Sequence, residues 1–375
     1  MYWCCFTWER KELNNILKIN SGRDYKQLNS GNIPVYGTGG YMLSVNDKLS
    51  DTDAVGIGRK GTIDKPLYLK APFWTVDTLF YCTSKENSDV KFIYLLFQII
   101  NWKRYDESTG VPSLSKNTIS SIKTYVPKVK EQDHISKLFF SLDNTLQLHE
   151  RKCEELALIK KALLQKLFPK KDEIKPEVRY ENFSDAWEQR KLGEVVEMFN
   201  GDRGYNYPKD SELISEGIPF INAGDLKNGQ IDLKNCKKIS REKFNQLSGA
   251  KIRQGDILYC LRGTLGKNAI VKFNEGTVAS SLVDIRPKTI NGIYLFIILN
   301  SDIEYRQRIL NDEGAAQPNL SVRNLAKFII PVPKTKEQQK IGDFFNQIDT
   351  LITLHQCKLK KLRQLKKFLL QNMFI

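Results

Sequence analysis

The sequence predicts an α/β (α+β) fold with two globular domains in a pseudo-twofold duplication, separated by two long helices that form an antiparallel coiled coil. Three observations predict it. A helical segment that starts at Val126 recurs from Val332 without a gap, and about nineteen of the aligned residues are identical. Both copies place apolar residues at alternating steps of four and three. The segment before each copy mixes short β-like runs with glycine-rich turns.

The first globular domain is predicted over residues 1–125. It contains the β-like runs IPVYGTGG and LYLKAPFWTVDTLFYC, a helical candidate from Asp89 to Lys103, and a P-x-L-S segment that we predict to be a strand. The run GIGRKG, which starts at Gly56, has the G-x-G-x-x-G spacing of dinucleotide-binding loops. Such a loop should open a helix, but strand and turn residues with two prolines follow it. We therefore interpret the run as a basic turn between strands.

The first long helix is predicted over residues 126–168 and the second over residues 332–375. An apolar stripe of this length has to be covered, so we expect the helices to pack on each other, each next to its own globular domain. Lys160 and Lys366 also fall on this seam, where they are expected to fix the register or to pair with glutamate. The seam and partner-docking residues are predicted to be Leu142, Leu146, His149, Leu156, Ile348, Ile352, His355 and Leu362.

The linker is predicted over residues 169–185, where PKKDEIKPEVRYENFSD is charged, punctuated by proline and without apolar periodicity. The second globular domain is predicted over residues 186–331, with a helical candidate from Asn291 to Leu310. Its opening AWEQRKLGEV resembles TWERKELNNI near the start of the chain, and its run YCLRGTLG matches the basic turn of the first domain. The leader before Trp187 is longer than that before Trp8. We therefore expect either a clipped start or a first domain that leans on the linker.

The composition favours a nucleic-acid partner. The 375 residues carry a formal net charge of +15, and an anionic membrane surface is the competing explanation. The longest apolar run, FIYLLFQII, is far too short to cross a bilayer, and the first residues do not resemble a signal peptide. Seven cysteines without a C-x-x-C pair, together with three histidines, make a metal site improbable. We expect no metal and a cytoplasmic location.

Candidate DNA-contacting residues are polar or basic side chains on turns, many beside glycines that permit close approach. Arg262 is expected to contact either a guanine or a phosphate. The candidates in the first domain are Tyr36, Thr38, Arg59, Lys60 and Thr62. Those in the second domain are Arg203, Tyr205, Asn222, Lys227, Arg262, Thr264 and Lys267.

Sequence motifs for catalysis are missing. There is no D-P-P-Y or N-P-P-Y motif for amino-methyl transfer, and GTLGKN lacks the spacing of a nucleotide-hydrolysing loop. Asp284, in VDIRPK, has no convincing second carboxylate, so a strand end is the preferred interpretation. The spacing implies no carboxylate or cysteine partner for the seam histidines, so we prefer packed, neutral side chains. We predict no catalytic residue.

The order of these parts, repeated twice, resembles the specificity (S) subunit of type I restriction-modification systems. The resemblance covers essentially the whole chain. It implies two target-recognition domains, each reading one half of a split site in double-stranded DNA. It also implies that the helices dock two DNA methyltransferase (modification) subunits.

The resemblance further implies that chemistry belongs to partner subunits. S-adenosylmethionine is expected on the methyltransferase, while ATP and Mg²⁺ are expected on restriction/translocase subunits, and this chain is expected to hold no cofactor. Two alternatives remain open at this stage. One is a recognition subunit of another methyltransferase–nuclease type, and the other is a free-standing nucleic-acid-binding or scaffold protein.

Overall fold

The computed structural model describes residues 8–170, 173–312 and 318–374. The chain divides into two compact units. One unit takes the chain up to Arg151 and from Gln356 onwards, and the other takes Lys152–His355. Each unit therefore holds one globular domain, the beginning of one long helix and the end of the other.

The first unit builds its globular part from residues before Val129. It also has a short 3-10 helix over Trp102–Tyr105. Its strands and helices are β1 (Glu9–Glu12), α1 (Leu13–Ile16), β2 (Leu17–Ser21), β3 (Ser30–Gly37), β4 (Gly40–Val45), β5 (Ala54–Gly58), β6 (Leu67–Leu69), β7 (Trp74–Thr75), β8 (Leu79–Ser84), α2 (Val90–Ile99), α3 (Lys116–Ser121) and β9 (Lys123–Val126).

The second unit repeats this order with additional elements. Its strands and helices are β10 (Glu188–Lys191), α5 (Leu192–Val195), β11 (Val196–Asn200), β12 (Leu213–Ile214), β13 (Ile218–Ile221), β14 (Leu226–Lys227), β15 (Gln230–Ile231), β16 (Lys237–Ile239), α6 (Arg241–Gln246), β17 (Ile257–Cys260), β18 (Asn268–Ile270), β19 (Thr277–Val278), β20 (Leu282–Pro287), α7 (Gly292–Ile298), α8 (Asp302–Leu310), α9 (Val322–Leu325) and β21 (Ile329–Val332). The two long helices are α4 (Val129–Lys166) and α10 (Thr335–Met373).

The two globular domains share one sheet topology. The order β2-β8-β5-β6 in the first domain corresponds to β11-β20-β17-β18 in the second, and all of these pairs are antiparallel. Each domain also has one parallel pair, β3 with β7 or β13 with β19. The differences lie next to that pair. β3 forms a hairpin with β4, whereas β13 pairs with the later strand β16 and is accompanied by the insertions β12, β14, β15 and α6.

The predicted helices late in each domain are shorter than the sequence suggested. Asp89 caps α2, which ends at Ile99, and only the short 3-10 helix continues toward Lys103. In the second domain Asn291 caps α7 and Ser301 caps α8, so the candidate from Asn291 is two helices. Each cap side chain accepts a hydrogen bond from a backbone N–H in the first turn of the helix that follows it. The cap at Ser301 therefore starts a separate helix, α8, after α7 has ended.

The P-x-L-S segments were predicted as strands, but each makes only one bridge pair before a helix begins. Ser115 and Ser321 then cap α3 and α9. A cap serine has extended backbone angles itself, but it commits the following residues to a helix. The remainder of the upstream match in the second half, at Gln317, lies outside the described residues.

The long helices run antiparallel, as predicted. Lys160 on α4 bonds both carboxylate oxygens of Asp349 on α10, at 2.6 and 2.8 Å, and Lys366 lies 2.6 Å from Asp143. These two pairs are equivalent in the duplication, and the partners are aspartates rather than the predicted glutamates. Most neighbours of the predicted seam residues on these helices are exposed. The seam residues themselves are buried (Ile348) or half-buried (Leu142, Leu146, His149, Leu156, Ile352, His355 and Leu362).

The first turn of each long helix is fastened to its domain by a buried glutamine. Gln132 donates to the carbonyl of Pro127 and accepts from the backbone N–H of Asp89, the cap of α2. Gln338 makes the same two bonds, to Pro333 and from Asn291. The repeated sequence V-P-K-x-K-E-Q therefore has a structural function, because its proline and glutamine join the long helix to the helix before it.

The last aromatic residue of each helical repeat completes a domain core. In the second unit, Phe168 contacts Trp187, Tyr294 and Phe345. In the first unit, Phe374 contacts the equivalent side chains Trp8, Phe92 and Phe139. Trp8 is therefore packed in the core of its own unit, while Trp3 lies outside the described residues.

The segment predicted as a linker is held against the start of α10. Arg179 bonds both oxygens of the fully buried Glu337 carboxylate, at 2.7 and 2.8 Å. Lys334 pairs with Asp185, and the ammonium of Lys340 lies over the rings of Tyr180 and Phe183. The composition correctly indicated irregular structure, but these contacts make the described part of the segment a packed strap.

Candidate nucleic-acid interface

The run GIGRKG forms the predicted turn between strands, and no helix follows it. Gly56 and Gly58 lie in β5, and Gly61 sits in the turn with φ +95°. A Cβ at Gly58 would come 2.1 Å from the carbonyl oxygen of Thr62, so Gly58 lets the turn fold back on its own strand, while a Cβ at Gly56 would come 3.2 Å from the side chain of Leu69. Their function is therefore structural.

This turn is pinned to the P-x-L-S segment of its own domain. The backbone N–H of Gly61 donates to Pro112, and that of Leu114 donates to the carbonyl of Arg59. Arg59 and Lys60 are exposed, while Thr62 is half-buried. A cavity of about 720 Å³ beside the turn is lined by Arg59, Lys60 and Lys116 among others. Three of the predicted contact residues are thus brought together on one fixed turn.

The second domain builds the same turn from R-G-T. The N–H of Gly263, with φ +77°, donates to Pro318, and that of Leu320 donates to the carbonyl of Leu261. Arg262 and Thr264 are exposed, and the Nε atom of Arg262 donates to the side chain of Asn319 at 3.2 Å. Lys267 follows, half-buried, with its ammonium 3.3 Å from the carbonyl of Ala223.

The backbone hydrogen bonds and bridge pairs show which cation of the first turn is equivalent to Arg262 of the second turn. Lys60 bridges to Ser113, as Arg262 bridges to Asn319, whereas Arg59 occupies the place of Leu261. The shared turn is therefore Lys60-Gly61-Thr62 in the first domain and Arg262-Gly263-Thr264 in the second. Arg59 is an addition of the first domain, and its guanidinium lies 3.5 Å from the carbonyl oxygen of Asp77.

The other candidates of the first domain lie on the β3–β4 hairpin. Tyr36 packs edge-on against Tyr41, and Thr38 is half-buried at the tip. The sequence missed Tyr41 and Met42, which are 63% and 49% exposed next to the glycines of the tip. The run T-G-G-Y-M, in which two large side chains follow two glycines, is the sequence signal that could have identified them.

The other candidates of the second domain lie on two loops and on strand β14. Tyr205 is 95% exposed beside Gly204, and Arg203 reaches the carbonyl of Ser280 at 3.4 Å. Asn222 is half-buried, and its side chain donates to the carbonyl of Phe220 at 3.2 Å. Lys227 pairs with Asp232 at 2.7 Å. The pKa of Asp232 falls to about 2 because Asn235 and Lys227 donate hydrogen bonds to its carboxylate. The charge of Lys227 is therefore balanced locally.

Asp284 lies inside β20 rather than at a catalytic surface. Asp256 does supply a second carboxylate next to it, but Arg286 bridges the two, at 2.8 Å from Asp256 and 3.4 Å from Asp284. Both aspartates are buried.

Within the described ranges, no group of three histidine, cysteine or carboxylate side chains is placed to hold a metal ion. None of the helices in those ranges is long and apolar enough to span a bilayer.

The sequence of this chain also matches the model of a known protein family. The model of the type I restriction modification DNA specificity domain matches residues 6–158 and 184–364. The chain belongs to this family. The two matched segments correspond to the two halves of the duplication, and each contains a globular domain with its basic turn.

Two curated relatives are similar over much of the chain. The type I restriction enzyme MjaVIII specificity subunit of Methanocaldococcus jannaschii is 27% identical over 280 residues, which cover 71% of this chain and 64% of that protein. The type I restriction enzyme EcoBI specificity subunit of Escherichia coli is 25% identical over 253 residues, covering 62% of this chain and 53% of that protein. The chain thus spans less than two thirds of the length of these curated relatives.

Solved structures share the fold. The S subunit of a type I restriction-modification system from M. genitalium matches with a TM-score of 0.70 at 17% identity, over 99% of this chain and 97% of that one. The HsdS subunit from Thermoanaerobacter tengcongensis matches with a TM-score of 0.50 at 16% identity, over 98% and 96% of the two chains. At these identities the likeness concerns the fold alone.

Proposed function

We propose that this chain is the non-catalytic DNA-recognition subunit of a type I restriction-modification complex. In this function each globular domain reads one half of a bipartite, asymmetric site in double-stranded DNA. The observation that carries the proposal is the duplication itself. Two domains of one topology each present an exposed cation on a turn pinned to the P-x-L-S segment, in a chain of net charge +15.

The two half-sites differ because the domains differ beside the parallel strand pair. The first domain offers the β3–β4 hairpin with Tyr41 and Met42. The second offers β16, α6 and the loop that carries Tyr205. Base edges are read by side chains that reach a groove, so surfaces of different shape and chemistry select different sequences.

The long helices are proposed to bind two DNA methyltransferase subunits. Several apolar side chains on α4 and α10 remain exposed, among them Leu148, Leu158, Leu354 and Phe368, at 44% or more. We propose that these exposed side chains contact the methyltransferase subunits. In this proposal S-adenosylmethionine binds to the methyltransferase, ATP and Mg²⁺ bind to restriction/translocase subunits, and the complex acts in the cytoplasm.

Mapping methylated adenines in the host genome tests the recognition function. Deleting the gene for this chain should abolish methylation at one bipartite motif and leave other motifs unchanged. Restoring the gene should restore the motif. Methylation that persists without the gene would contradict the proposal. Methyl transfer by the purified chain with S-adenosylmethionine alone would contradict its non-catalytic function.

A change in the seam tests the docking function. Leu142→Glu with Ile348→Glu places carboxylates among apolar side chains, which is unfavourable because they lose hydration there. The double variant should lose the co-purifying methyltransferase. Gln147→Glu is the matched control, because it adds a carboxylate at an exposed residue of the same helix that is off the seam. Unchanged co-purification and methylation in the double variant would contradict the model.

A further inference from the structure

The two basic turns are an exposed feature that both domains share, although the domains differ beside the parallel strand pair. Lys60-Gly61-Thr62 and Arg262-Gly263-Thr264 make the same backbone bonds to Pro112 and Pro318. Beside them the hairpin of the first domain is replaced in the second by other strands and a helix. Domains that read different half-sites need different base readers, whereas the phosphate backbone is the same in both half-sites.

The local structure of each turn suits a phosphate oxygen. The glycine takes a positive φ, +95° in the first turn and +77° in the second, which bends the chain sharply. The next backbone N–H, of Thr62 or Thr264, donates to no acceptor in the part of the chain that the structure describes. A threonine hydroxyl lies at the same residue. In the second turn this hydroxyl also lies 3.5 Å from the Sγ atom of Cys260, so the backbone N–H is the free donor that both turns share. A free backbone N–H on a tight turn is a group that commonly binds phosphate.

The cation before each glycine has no acidic partner. Neither Lys60 nor Arg262 forms an ion pair with any described residue, and Arg262 is held by the neutral side chain of Asn319. Other cations of the same domains are neutralised, such as Lys103 by Asp64 and Lys227 by Asp232. An unpaired cation on a rigid turn keeps its full charge for an external anion.

We infer that these two turns are equivalent phosphate anchors, which bind the DNA backbone beside each half-site and read no base. The inference rests on the proposed function, because it assumes that DNA is the ligand. It assigns base reading to the divergent surfaces, the β3–β4 hairpin of the first domain and the region around β16 and Tyr205 in the second. It also decides between guanine and phosphate as the partner of Arg262.

The test measures binding of the full chain to DNA at several salt concentrations. Fluorescence anisotropy would compare a duplex with the mapped site, duplexes with one base pair of that site changed, and a scrambled duplex. Arg262→Gln should raise Kd by the same factor on all of them, and the slope of log affinity against log salt should fall by about one. Lys60→Gln should do the same, and the double variant should lower the slope by about two.

Exchanging the two cations gives the sharper comparison. Arg262→Lys and Lys60→Arg keep the charge, so an anchor retains both its salt slope and its sequence preference. A bidentate guanine contact would not survive Arg262→Lys, because lysine lacks the planar pair of donors. Relaxed discrimination at one base pair in Arg262→Lys, or an unchanged slope in Arg262→Gln, would overturn the inference.

Two further variants control for the loss of one positive charge. Lys123→Gln and Lys327→Gln remove a cation from the same domains at residues away from the turns, where Lys123 pairs with Glu12 and Lys327 bonds Asn324. Both should change the slope less than the turn variants, and an equal change would overturn the inference. Thermal unfolding of each variant checks the fold. A wild-type chain that binds mapped and scrambled duplexes equally would contradict the proposed function while leaving the salt test of the turns intact.

Discussion

Asp284 illustrates at the residue scale how burial controls a charge. Its side chain is fully buried in β20, and its Oδ1 atom has no hydrogen-bond partner among the described residues. The pKa of Asp284 is raised to about 8, mainly by burial and also by the neighbouring Asp256 charge, while Arg286 acts in the opposite direction. The protonated form is therefore favoured in the folded state at neutral pH.

Asp284→Asn should stabilise the protein, increasingly so at higher pH. The folded-state pKa lies above the unfolded one, so the folded wild type binds the extra proton between roughly pH 4 and 8 and loses stability as pH rises through that range. Asparagine carries no charge to bury, so above pH 8 we expect a gain of about 1–3 kcal/mol. Urea unfolding at pH 5, 7 and 9 would measure it. The exposed Asp302→Asn is the control, and a difference that does not change with pH would contradict the assignment.

Arg179 and Glu337 form the most buried ion pair of the strap, and removing one partner should be costly. Arg179→Met leaves the fully buried Glu337 carboxylate without a cation, and we expect the free energy of unfolding to fall by about 3 kcal/mol. Adding Glu337→Gln should recover most of that loss, because no charge is then left buried. Lys170→Met is the control, since its pair with Glu177 is exposed. Equal losses in Arg179→Met and Lys170→Met, measured by urea unfolding, would contradict this explanation.

At the scale of elements, we expect the equivalent Lys–Asp pairs to fix the register of the two helices. Lys160→Asp places a carboxylate next to Asp349 and should lower the free energy of unfolding by about 1 kcal/mol, because the pair is only half-buried. Adding Asp349→Lys restores opposite charges and should restore stability. Urea unfolding of the single and double variants gives the coupling energy.

The matched comparison for this pair lies on the same helix α4. Lys137 and Asp133 form an exposed pair four residues apart, and reversing Lys137 to aspartate should have a smaller effect. A double exchange at Lys160 and Asp349 that fails to recover stability would show that the pair does not set the register.

The sequence predicted the two long helices, α4 and α10, well because their apolar residues recur with a regular period. Heptad spacing predicted the apolar seam on each long helix, with Leu142 on α4 and Ile352 on α10 as examples. The internal repeat showed that the two helices are copies of each other. The sequence also predicted the turn at Gly61, because strand and turn residues, rather than a helix, follow the G-x-G-x-x-G run. These are local patterns, in which each residue reports on neighbours within a few positions.

The rest could not be predicted because it depends on contacts between distant residues. Gln132 and Asp89 lie 43 residues apart, and Glu337 and Arg179 lie 158 apart, so no local pattern shows that they meet. The split between α7 and α8 depends on a cap at Ser301 inside a helix-like stretch. The exposed Tyr41 and Met42 were missed for a related reason, because their surroundings are set by the β3–β4 pairing.

At the scale of the whole molecule, each long helix begins in one compact unit and ends in the other. Its first turn is fixed by a buried glutamine, and its last aromatic residue enters a domain core. In the proposed function, the number of residues in the helices is therefore a property on which the spacing between the two half-sites can depend.

The target of this chain should accordingly be asymmetric and bipartite, with an unread spacer of constant length. Two major-groove readers on one face of the duplex prefer centres about 10 base pairs apart. Adding one heptad to both helices keeps the seam in phase and lengthens each by about 10 Å, which corresponds to roughly three base pairs. Methylation mapping should show a longer spacer between unchanged half-sites. A heptad in α4 alone would shift the seam against its partner and should abolish methylation. A continuous palindrome would contradict the bipartite architecture. A half-site altered by the double insertion would also contradict it, because the insertion leaves the two proposed recognition domains unchanged.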